Sequence, residues 1–108
     1  MFTNVLLGLG LLAAVSATPP EFSNLPVLNH GFAQCPDGSL LEVTTYDVDP
    51  NDPEAAIRTF ASDGHLVAAL IFKTRQVYIY KDKELVSLDE LRLRYESPCD
   101  IPHNKPSI

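Results

Sequence analysis

The sequence predicts an α+β domain: one short helix packed on an antiparallel sheet of about four strands, its ends joined by a disulfide. Three observations carry that expectation. Asp52-Pro53-Glu54 has the form of a helix start, with a capping carboxylate, proline at the first helical position and an acid in the first turn. Segments rich in β-branched and aromatic residues precede and follow it, separated by turn residues. The two cysteines, Cys35 and Cys99, stand near opposite ends of the expected folded unit.

The elements follow in chain order. Pro36-Asp37-Gly38 is a turn, because proline sets one φ and glycine supplies the permissive one. Leu40 to Val48 (LLEVTTYDV) is the first expected strand, ended by DVDPNDP. The helix is expected over Pro53 to Ser62, with Ala56, Ile57, Phe60 and Ala61 as its apolar stripe and Gly64 closing it. Leu66 to Phe72 (LVAALIF) reads as a central strand, although its uniform apolarity also admits a helix. After the Lys73-Thr74-Arg75 turn, Gln76 to Tyr80 (QVYIY) alternates, with Val77 and Ile79 inward and Gln76, Tyr78 and Tyr80 outward. Ser87-Leu88-Asp89-Glu90 has the form of a capping box. The alternation of Leu91, Leu93 and Tyr95 with Arg92 and Arg94 instead favours a brief turn and a last strand.

Residues 1–17 read as a secretory signal peptide. An apolar run from Val5 to Val15 is followed by the small residues of a cleavage site, ending at Ala17. The run is too short to span a bilayer, and Pro19-Pro20 would break a continuing helix. Residues 18–31, with three prolines, are expected to form an extended arm, 32–99 the single domain and 100–108 a tail. A secreted, extracellular monomer with no membrane partner follows, with entry into another cell left open. In an oxidising exit route Cys35 and Cys99 should pair. Closing so long a loop would stabilise a small domain by roughly 4 kcal/mol in the chain-entropy account.

The net charge of −6 disfavours a general nucleic-acid binder. The charge is uneven: between Thr18 and His65 the only base is Arg58, against Glu21, Asp37, Glu42, Asp47, Asp49, Asp52, Glu54 and Asp63. Every other Lys or Arg lies at or beyond Lys73, so the second half can carry a local basic face.

The search for chemistry yields no catalytic set, no cofactor and no metal site. No GxSxG elbow accompanies a serine, and the expected disulfide removes both thiols as nucleophiles. Asp47, Asp49 and Asp52 lack the glycine and closing glutamate of a calcium loop and suit an acidic turn. His30 and His103 fall in the expected arm and tail, and His65 in a turn before a strand. What remains is a candidate binding surface of Tyr78, Tyr80, Arg92 and Arg94, if their strands are neighbours. Cross-strand pairs on a solvated face, a protein-binding hot spot and a base-stacking, phosphate-holding surface all suit those residues.

The order of features resembles the small secreted effectors of plant-pathogenic fungi, in particular their ribonuclease-like group. It rests on a signal peptide, an arm, Phe32-Ala33-Gln34-Cys35-Pro36-Asp37-Gly38, a helix, a meander and a cysteine near the C-terminus. The resemblance implies the fold of guanyl-specific ribonucleases, often without their activity. His65 matches the place of a histidine opening the strand after the helix, and Arg92 or Arg94 that of a later arginine. The strand Leu66 to Phe72 has no glutamate base, Phe32 lies three residues before Cys35 rather than two, and His103 lies beyond the closed unit. General acid–base transphosphorylation needs two placed proton carriers, so the implied protein is non-enzymatic. The expected function is that of a secreted effector-like protein binding a host macromolecule, preferably a protein. An RNA-binding pseudo-ribonuclease or weak ribonuclease, and a secreted hydrolase inhibitor, are the alternatives. The two-sheet effector sandwich is disfavoured by the expected helix.

Overall fold

The computed structural model describes Phe22 and residues 24–103. Residues 1–17, expected as a signal peptide, residues 18–21 and 23 of the expected arm, and residues 104–108 of the expected tail lie outside them. Six strands form one antiparallel sheet in sequence order: β1 (Val27–Gln34), β2 (Leu40–Asp47), β3 (Ala56–Ser62), β4 (His65–Ile71), β5 (Gln76–Ile79) and β6 (Glu84–Ser87). One helix, α1 (Leu88–Arg94), and a 3-10 turn at Pro98–Asp100 follow. Among the described residues the α+β class and the single helix on an antiparallel sheet hold, but the strands number six rather than about four.

Two elements exchange identity relative to the sequence reading. The segment expected as a helix over Pro53 to Ser62 is a turn and strand β3. Asp52 Oδ1 accepts from the Glu54 amide at 3.0 Å, and Val48 N–H donates to the Ala55 carbonyl, so the helix-start residues close a hairpin loop instead. The i, i+1, i+4, i+5 apolar pattern also serves a strand with apolar residues on both faces. Ala56 and Phe60 lie on one face, Ile57 and Ala61 on the other. Asp63-Gly64 is no helix end: both residues have positive φ (51° and 85°) and form the two-residue turn between paired Ser62 and His65.

The second exchange is at the other end. Leu91 to Tyr95, expected as a strand, lies in and just after α1. The Ser87 hydroxyl caps the helix by accepting from the Glu90 amide at 3.1 Å. Leu88, Leu91 and Tyr95, at helical spacing, all pack on the core.

The core lies between sheet and helix. Val77, Ile79, Ala68 and Val67 are essentially sealed from solvent, joined by Leu41, Val86, Cys35 and Ile101. Val67 is the extra residue of a bulge, since Phe60 pairs with Ala68 and Ala61 with Leu66. Cys35 and Cys99 are bonded, with Cα atoms 5.8 Å apart, and fasten the end of β1 to the 3-10 turn. The folded unit exceeds the expected boundaries: residues Val27 to Gly31 of the expected arm are strand, and Ile101 of the expected tail is buried.

Candidate binding surface

The sheet register separates the two faces. Ile57 pairs with Tyr46 and Ile71, and Tyr78 with Ala69 and Leu85, so these side chains share the face opposite α1. An open depression of ≈ 450 Å³ lies there, lined by Ile57, Ala69, Ile71, Tyr78, Tyr80, Leu85, Lys83 and Phe22. Tyr78 and Tyr80 meet edge to face, ring centroids 5.0 Å apart at 87°. Leu85 stands half exposed at the rim. Lys83, the one charged residue of the lining among the described residues, is at a turn position with φ 53°. Phe22, from the N-terminal segment, lies on Tyr46 with centroids 5.2 Å apart.

The four residues singled out from the sequence do not form one surface. Tyr78 and Tyr80 line the open face, as the alternation of QVYIY requires. Arg92 and Arg94 are on α1, which packs on the other face. The sequence reading joined the two pairs by taking Leu91 to Tyr95 as a neighbouring strand; as a helix, that segment folds back over the core. Arg92 borders a cavity of ≈ 230 Å³ beneath the helix, with Phe60, Leu70, Val77 and Leu91 among its walls. Arg94 bonds Glu84 through both terminal nitrogens, each at 3.2 Å, and Glu90 at 2.5 Å. Hydrogen bonding from Arg94 lowers the Glu84 carboxyl below its ordinary range, and Glu84 and then Glu90 raise Arg94. Arg94 therefore staples the helix to β6.

The acidic loop is also accounted for. Asp49 and Asp52 each accept a backbone amide two residues on, and Asp52 holds Lys73 at 2.8 Å. Bonding to Lys73, then the Glu54 amide, lowers the Asp52 pKa, and Asp52 raises that of Lys73. Among the described residues, no group of three His, Cys, Asp or Glu is placed to hold a metal ion.

The histidines are arranged differently from the sequence expectation. His103 returns to the body because Ile101 is buried, and its ring centroid lies 5.7 Å from that of His65. His103 Nδ1 is 3.1 Å from the Ile101 carbonyl oxygen, whereas His65 Nε2 is buried without a hydrogen-bond partner among the described residues. No spacing rule in the sequence would have found this pair, because it depends on where the disulfide sends the tail. His30 Nε2 lies 2.7 Å from Glu42 on the outer strands.

Comparison with protein-family models, with curated proteins and with solved structures finds no match for this chain. Among the described residues, no helix is long and apolar enough to cross a membrane.

Proposed function

We propose that the chain is an exported, effector-like binding protein that acts by capturing a host protein and performs no chemistry of its own. One observation carries this reading: the sheet face opposite α1 holds an aromatic depression with an aliphatic rim and a single lysine. Tyrosines beside aliphatic residues give large contact areas at low entropy cost, the composition of protein-binding hot spots. One charge in the lining is too few for a phosphate-tracking groove, so a protein suits it better than RNA. The signal-like leader and the disulfide support export, since disulfides persist in oxidising compartments. A hydrolase inhibitor would be a special case of the same binding role.

The test compares capture by the mature protein with capture by Tyr78→Ala/Tyr80→Ala and by Arg92→Ala. Any captured protein is then purified and titrated. The tyrosine variant should lose affinity at least tenfold while Arg92→Ala binds normally. Equal binding by all three would reject the surface.

A second reading has one observation in its favour. The adjacent His65 and His103 supply the two imidazoles that general acid–base cleavage of RNA requires. Metal-free RNA cleavage lost on His65→Ala and on His103→Ala would establish it and displace the first reading.

A further inference from the structure

We infer that β1 is a pairing edge for a second copy of this chain, giving an antiparallel β1–β1 dimer. The two margins of the sheet differ. β6 has only four residues, begins at Glu84 and runs straight into α1, with Arg94 folded across it. β1 has eight residues, VLNHGFAQ, without a formal charge or a proline. Its residues are exposed except half-buried Gly31, and Phe32 is 63% accessible. Charges, prolines and short length are the usual protections of an edge strand, and β1 lacks all three.

The hydrogen-bonding direction follows from the hairpin. Cys35 N–H donates to the Ser39 carbonyl at 2.8 Å, and the register continues through Gln34–Leu40 and Ala33–Leu41. By alternation, Ala33, Gly31 and Asn29 bond to β2, while Gln34, Phe32 and His30 point their amides and carbonyls outward. The register slips at Leu28, which ends the regular stretch at Asn29. An uncharged, extended strand of matching length fits this edge, and β1 of another copy is such a strand.

Centring the pair on Phe32 places Phe32 opposite its own copy and His30 opposite Gln34, and every outward group of the stretch is met. Both phenylalanines then share a face, where such cross-strand aromatic pairs are favourable. The association is isologous and closes at two, because the β6 margin is blocked. In a single chain, the expectation from sequence, no strand among the described residues pairs with this margin.

The experiment is sedimentation over a wide concentration range, with hydrogen exchange at single amides, on the wild type, Phe32→Lys and His30→Pro. His30 is chosen because its amide takes no part in the ladder to β2, so among backbone hydrogen bonds proline removes only the outward donor, while the exposed contact of its ring with Glu42 is also lost. A concentration-dependent dimer is expected, with slowed exchange at His30, Phe32 and Gln34 on association. Both variants should weaken it at least tenfold with little change in thermal midpoint. A wild type that stays single overturns the proposal. So does a dimer that survives both variants, or one without protection at those amides. Loss of partner capture in these variants, with the wild type itself monomeric, would assign the edge to the partner's strand and likewise overturn it.

Discussion

The two faces of the sheet are built for different ends. The face under α1 is hydrocarbon sealed by helix and disulfide: Val77 and Ile79 are 2% and 0% exposed, and Leu88, Leu91, Tyr95 and Cys99 close over them. The opposite face mixes buried threonines, Thr44 and Thr59, with a half-open aromatic depression and is covered by no helix among the described residues. Adjacent residues of one strand, Tyr78 and Ile79, serve the two sides. Stability concentrates where side chains are fully removed from water, leaving the other side free to present a surface.

The largest expected effect tests the sealed face through its clasp. Replacing Cys35 and Cys99 by serine should cost roughly 4 kcal/mol, set by the 64-residue separation, and should show as a large drop in the denaturant midpoint. Next comes the direct comparison within β5. Ile79→Ala should cost about 3 kcal/mol by leaving a cavity, and Tyr78→Ala only about 1 kcal/mol because its ring is partly solvated. An equal or larger loss at Tyr78 in urea unfolding would break the division between the faces. Ser87→Ala, which removes the cap of the covering helix, should cost about 1 kcal/mol, with Ser87→Asp restoring it.

The smallest effect is electrostatic and sits at the exposed rim. The Asp52 pKa is lowered by Lys73, so the pair contributes stability above the ordinary carboxylate range. That contribution fades as pH falls through the depressed folded value. Lys73 is raised by Asp52, so the same pair weakens again once pH passes the ordinary lysine range. Asp52→Asn keeps the acceptor for the Glu54 amide and removes only the charge. Its urea midpoint should lie slightly below that of the wild type near neutrality and converge with it in acid. A constant gap at every pH would show that the charge has no part.

Much of the sheet was readable from sequence. LLEVTTYDV is rich in β-branched residues and QVYIY alternates, and the inward side of Val77 and Ile79 is legible because period-two patterning holds within a strand. The errors share one cause. Asp-Pro-Glu before Ala56 and Ser-x-x-Glu before Leu91 are both local helix-start signals, and only the second opens a helix. Asp63-Gly64, a strong two-residue hairpin signal, could have decided the first against a helix. For the second, Leu88, Leu91 and Tyr95 at helical spacing carried the information that the shorter alternation obscured. The outward side of Tyr78 and Tyr80 is legible in the alternation, but their separation from Arg92 and Arg94 is not, because it depends on the segment from Leu91 to Tyr95 being helical.

By itself the chain determined a small acidic α+β domain, the pairing of its only two cysteines and the inward and outward sides of its clearest strand. These follow from local periodicity and from there being no other thiol to choose. Tertiary structure decided which capped segment becomes the helix, which face it covers, that Val27 to Gly31 form a sheet margin, and that His103 meets His65. Each depends on contacts between segments far apart in the sequence, a quantity that no local window of residues contains.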